Sequence, residues 1–175
     1  MKGVAARYPV FDVARNRLLN VEGRINACRV EHQGAPALEY ESADLLALTA
    51  YVAYQSRGLP LAASIDGPAR ASFDAGAALY RRRIGQVDLA CTQCHDRLWG
   101  RRLLAETISQ GHPNGFPAYR MEWQSLGSLH RRLRACLSGI RAEMWPYGAE
   151  QYLQLELYLA WRGRGLPVET PAVRR

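Results

Sequence analysis

Cys91-Thr92-Gln93-Cys94-His95 places two thiols and an imidazole within five residues. Cys-x-x-Cys-His is the covalent attachment signature of a c-type haem, in which the thiols bond the porphyrin vinyl groups and the imidazole binds the iron. The competing chemistries need more than this stretch offers. A thioredoxin-like pair sits in a βαβ pattern behind a strand, and a structural zinc site needs further ligands at metal spacing. Cys28 and Cys136 are the other two cysteines, and neither belongs to a second Cys-x-x-Cys.

With His95 as the proximal ligand, the group across the iron sets the chemistry. Met121 or Met144 would make an electron carrier, and His112 or His130 would give bis-histidine ligation. Cys136 would supply a thiolate, which donates charge to iron and lowers the potential. All lie after the motif, so spacing does not choose among them. Cys28 and Cys136 also fit two other roles: small buried residues, or a disulfide with each other in an exported chain.

The elements that must position these groups read as helices. Phe73 to Tyr80 leads into the haem motif, as a cytochrome c fold requires. Ser42 is an N-cap for a helix ended by Gly58 and Pro60. A second helix starts near Gly148-Ala149-Glu150, shows Leu153, Leu157 and Trp161 at helical spacing, and stops at Gly163 to Pro167. Short helices are expected over 99–106 and 125–134, between loops broken by Gly111, Pro113, Gly115 and Pro117. No stretch alternates as a strand. The expected fold class is therefore all-α and cytochrome c-like.

These helices belong to an internal repeat. Leu45 to Pro60 aligns without a gap onto Tyr152 to Pro167 with half the positions identical, and Arg24 to Cys28 matches Arg132 to Cys136. Residues 63–175 hold a complete unit with the haem motif. Residues 1–62 hold an incomplete one, because the equivalent motif projects to before residue 1. The connection falls over 62–70, where Ser64, Gly67 and Pro68 interrupt the pattern.

Nearly half of the 175 residues are apolar, enough for a packed core, and 22 arginines with one lysine give a net charge of +7. The arginines are scattered rather than gathered in a basic stripe with aromatics, which argues against nucleic acid. An acidic protein partner or small oxyanions suit guanidinium forks better. No apolar run reaches the roughly 20 residues that span a bilayer. The stretch from Met1 to Pro9 also lacks the apolar core of a secretory signal. Because haem is usually attached to such cysteines outside the cytoplasmic membrane, Met1 is read as a truncation point or a misassigned start.

Three blocks carry a more specific resemblance. Arg132 to Glu143 with Tyr147-Gly148 and Leu155 to Ala160, Gln110 to Pro113 with Glu122 to Ser128, and Glu169 to Val173 closely resemble SoxA, the catalytic cytochrome family of the SoxAX complex of thiosulfate oxidation. The resemblance implies that Cys91 and Cys94 hold one haem c, that His95 and Cys136 ligate its iron, and that Cys136 is also catalytic and can carry a persulfide. It implies that Arg132 binds substrate. A second, N-terminal haem belongs only to a longer precursor, and Cys28 matches its ligand or a paired cysteine.

The implied activity is that of an L-cysteine S-thiosulfotransferase, which joins thiosulfate to a cysteine of a SoxYZ-like carrier and passes electrons through haem to a SoxX-like subunit in the periplasm. Arg141, Arg162 and Arg164 stand as secondary substrate candidates or as helix caps. The alternatives are a simple electron carrier with Met121 or Met144 on iron, and an inactive truncated domain.

Overall fold

The computed structural model describes residues 1–104 and 106–174. Six helices carry the frame: α1 (Val21–Gln33), α2 (Ala43–Tyr54), α3 (Ala69–Arg81), α4 (Cys91–His95), α5 (Leu129–Gly139) and α6 (Glu150–Arg162). Strands β1 (Val10–Asp12) and β2 (Arg17–Leu19) precede α1, β3 (Arg102–Leu103), β4 (Glu106–Thr107), β5 (Ala118–Arg120) and β6 (Ser125–Gly127) lie between α4 and α5, and β7 (Ala172–Arg174) follows α6.

Those strands overturn the expected all-α class. They pair as β1 with β2, β3 with β4, and a mixed sheet in the order β6-β5-β7. Each is two or three residues long, too short for a period-two pattern to show. The expected helix over 99–106 is instead a turn and the β3–β4 hairpin, with Gly100 and Leu104 at positive φ and, apart from Ala105, which lies outside the described residues, every residue exposed. The expected helix over 125–134 begins late: Ser125–Gly127 is strand β6, and Ser128 caps α5 by accepting a hydrogen bond from the Arg131 N–H at 3.2 Å.

The core forms where α3 crosses α6. Phe73 and Tyr80 meet Tyr158, and Phe73 meets the edge of Trp161 at 4.9 Å between centroids. A Cβ on Gly76 would lie 2.0 Å from the Gln154 carbonyl oxygen, so glycine permits the close approach of the two helices. Leu153, Leu157 and Leu159 complete the buried cluster. The equivalent face of α2, carrying Leu48, Tyr51 and Tyr54, is exposed, with no counterpart of α3 over it among the described residues.

The repeat extends further in space than in sequence. Hairpins β1–β2 and β5–β6 share one register, pairing Val10 with Leu19 and Ala118 with Gly127, and each leads through a capping residue, Asn20 or Ser128, into a helix. The two copies also meet through equivalent residues. Pro60 faces Pro167 in an antiparallel bridge, the Gly58 N–H donates to the Val168 carbonyl at 2.9 Å, and the Gly165 N–H donates to the Leu61 carbonyl at 3.0 Å. Such an exchange of matching bonds is the signature of a local two-fold axis.

Candidate functional site

Helix α4 is little more than one turn, so Cys91 and Cys94 lie one turn apart with His95 at its end. Its start is held by the Ala90 N–H, which donates to the Gln93 side chain at 2.5 Å. Its end is fastened through Asp96. The buried Tyr80 hydroxyl of α3 donates to Asp96 Oδ1 at 2.8 Å, and Arg162 of α6 donates to the same oxygen at 2.5 Å, to the Tyr80 oxygen, and to the Gln110 carbonyl. The helix crossing that forms the core therefore also fixes the motif.

His95 is oriented from the following loop. Its Nδ1 donates to the Ser109 carbonyl at 2.7 Å, which leaves Nε2 as the nitrogen with a free lone pair, the arrangement a metal-binding imidazole uses. Gly111 packs against the ring. The Cys136 sulfur, delivered by α5, neighbours the imidazole from the other side.

The thiols differ in their surroundings. Burial, then the neighbouring Cys136 sulfur, pushes Cys91 up to about 11. At Cys136 burial also opposes ionisation, but the neighbouring His95 imidazole and the positive charges of Arg132 and Arg120 outweigh it and lower the value. His95 shows the converse: burial works against its charge, while Cys136 and the Ser109 carbonyl raise it. Two thiols on one helix face, an imidazole with a fixed tautomer and an opposing sulfur form a donor set that fits a covalently attached haem with His95 and Cys136 as its iron ligands.

Arg132, one turn before Cys136, is half-buried, and its Nη1 lies 3.9 Å from Glu122 Oε1. Five of the residues named from sequence thus converge: Cys91, Cys94, His95, Cys136 and Arg132. Others do not. Met121 and Met144 are exposed, and His130 is fully buried between Glu156 and the Gly148 N–H. His112 lies near His95 and Arg162 with a buried Nδ1 that has no partner among the described residues, and burial lowers its pKa.

Arg164 stacks on Trp161 at the end of α6, and Arg141 is exposed beyond α5. Cys28 is half-buried on α1, and no disulfide joins it to Cys136. Sequence reading missed Arg120, Asp96, Ser109 and Gly111. Of these only Arg120 had a usable signal, its place in the repeat opposite Asp12, and the hairpins that carry both are too short to align by residue type alone.

Comparison with known proteins gives a consistent result. Residues 1–61 match the family model described as SoxA/TsdA, cytochrome c domain. The whole chain is 42% identical to the L-cysteine S-thiosulfotransferase subunit SoxA of Pseudaminobacter salicylatoxidans, covering 62% of it. It is 40% identical over 99% of its length to the same subunit from Rhodovulum sulfidophilum, covering 61% of that protein. The crystal structure of SoxXA from P. pantotrophus matches with a TM-score of 0.95 and 34% identity, over 99% of this chain and 66% of that one. The chain spans about three fifths of the length of these curated relatives. Along its full length, and in its cytochrome c-like fold, the chain is similar to the SoxA subunits.

Proposed function

We propose that this chain carries the sulfur-handling centre of an L-cysteine S-thiosulfotransferase. Cys91 and Cys94 would hold one haem c, His95 and Cys136 would ligate its iron, and Arg132 would bind the sulfonate end of thiosulfate. The observation that carries this reading is the meeting of His95 and Cys136 from two separate helices, with the charge of Arg132 acting on the Cys136 sulfur. Haem, when bound, supplies a one-electron acceptor next to that sulfur.

The reaction balances as a carrier thiol plus thiosulfate giving a carrier cysteine S-thiosulfonate, one proton and two electrons. The sulfur–sulfur bond forms as the carrier S–H bond breaks. Arg132 can orient a dianion and offset its charge, as a forked donor beside an electron-rich sulfur. The two electrons require a cytochrome partner, for which a SoxX-like subunit is the natural candidate, and the thiol belongs to a SoxYZ-like carrier. A periplasmic site follows from covalent haem attachment. No helix among the described residues is long and apolar enough to cross a membrane. Residues 63–175 would form the catalytic haem domain and residues 1–62 its incomplete copy.

The exposure of Met121 and Met144 disfavours the simple electron carrier. Paramagnetic and optical spectra of the haem-loaded protein should show thiolate ligation that Cys136→Met replaces with a methionine signature. Arg132→Ala should raise the KM for thiosulfate about 10-fold or more with the haem spectrum kept, the usual scale for losing a charged hydrogen bond. A wild-type spectrum in Cys136→Met, or an unchanged thiosulfate dependence in Arg132→Ala, would remove those residues from the site.

A further inference from the structure

The two copies of the repeat treat one position in opposite ways. In the first copy, Arg24 lies one turn before Cys28, and its guanidinium is neutralised by Asp12 at 2.8 Å. Asp12 ends strand β1 and also takes Arg15 at 2.7 Å. In the second copy, Arg132 lies one turn before Cys136, and the residue in the register position of Asp12 is Arg120, at the end of β5. An acid that quenches an arginine has been replaced by a second arginine.

The consequence is a concentration of unspent positive charge. Arg120 is 5% exposed, and its Nη2 is buried with no hydrogen-bond partner among the described residues. Its Nε donates to Glu122 Oε1 at 2.8 Å, and the same oxygen lies 3.9 Å from Arg132 Nη1. One half-exposed carboxylate thus serves two guanidinium groups. Trp123 supports the assembly, with its ring centroid 5.2 Å from the Arg120 guanidinium carbon. A buried guanidinium nitrogen without an acceptor is costly, and a like charge close by adds to that cost. An oxyanion removes both penalties, because its oxygens accept from both forks.

We infer that Arg120 and Arg132 together form a two-guanidinium oxyanion site beside Cys136, in which Arg120 Nη2 is the buried inner donor for the sulfonate of a thiosulfate-like dianion. The inference rests on the proposed function for the identity of the anion, and on the geometry alone for its charge class. A haem carboxylate offers the same acceptor chemistry, so the test must separate the two sources.

The haem-loaded protein is titrated with sulfate and with thiosulfate while its thermal unfolding midpoint is followed. KM and kcat, assayed with a carrier thiol and an electron-accepting cytochrome supplied, and the haem spectrum are measured for wild type, Arg120→Gln and Arg120→Lys. Wild type should gain stability with both anions. Arg120→Gln should weaken that response and raise the KM for thiosulfate by about 10- to 100-fold, the scale of a charged hydrogen bond, with kcat and haem spectrum held. Its anion-free midpoint should equal or exceed that of wild type, since an unpartnered buried charge is gone. Arg120→Lys keeps the charge without the fork and should fall between.

An unchanged anion response in Arg120→Gln would overturn the site. A variant that loses haem while keeping the anion response would also overturn it, and would assign Arg120 to a haem carboxylate. Anion stabilisation that is lost in Arg120→Gln, in a protein showing no thiosulfate turnover, would uphold the site while rejecting the proposed function.

Discussion

At Gly111 the backbone holds φ at +74°, and a Cβ would lie 3.2 Å from Nδ1 of His95. Both facts point to glycine, one through backbone strain and one through contact with the proposed iron ligand. Gly111→Ala should destabilise by about 1–3 kcal/mol, the usual range for a side chain forced into the left-handed region. It should also alter the haem spectrum, because the ring must turn away from the Ser109 carbonyl that fixes its tautomer. A lowered midpoint with an unchanged spectrum would limit Gly111 to a backbone role. The residues proposed to bond the haem are visible as a motif, whereas those that aim them, Ser109, Gly111 and Asp96, follow no pattern that spacing reveals.

Among the elements, the α3–α6 crossing does most to place the site. Gly76 lets α3 approach until only 2.0 Å would separate an added Cβ from the Gln154 carbonyl oxygen, and 2.6 Å from its carbonyl carbon. These are backbone atoms, so a side chain here moves the whole helix. Gly76→Ala should cost about 2 kcal/mol or more, in the range of an overpacked core. Urea unfolding measures the loss, and the displaced Tyr80 should weaken its bond to Asp96 and loosen α4. Stability equal to wild type would mean that the helices part without cost. The helices were legible in the sequence because caps and apolar spacing are local. Strands of two or three residues were not, because their hydrogen bonds depend on partners rather than on alternation.

Across the whole molecule, the two copies meet around a cavity of about 60 Å³ whose largely apolar lining includes Glu22, Thr49 and Glu156. The repeat pairs Glu22 with His130 and Thr49 with Glu156. The second copy fills its position with a bonded imidazole and carboxylate at 3.1 Å, while Thr49 Oγ1 in the first has no partner among the described residues. The smaller pair leaves the space. Burial, and then repulsion by Glu156 and Glu41, pushes Glu22 from the ordinary 4.5 to about 8.

The folded state therefore holds this proton more tightly than the unfolded chain does. Glu22 favours folding most below pH 4.5; its contribution falls as pH rises from 4.5 to about 8 and is level beyond. Glu22→Gln should remove this slope and stabilise the protein at pH 8 by on the order of a few kcal/mol, with little change at pH 4.5. Denaturant unfolding from pH 4.5 to 9 tests this, and parallel curves for variant and wild type would reject it.

The sequence by itself determined what acts within a few residues: the haem motif on one turn, the capped helices, the duplicated unit, and the cysteine with an arginine one turn ahead. Tertiary structure alone decided which of several sulfur and nitrogen groups comes to face His95, because helix packing and loop closure bring together residues that no local spacing relates. It also decided that Arg120 stands where the first copy keeps an acid. That exchange of charge becomes visible only once hydrogen bonding sets the register of two short hairpins and burial keeps water from the guanidinium.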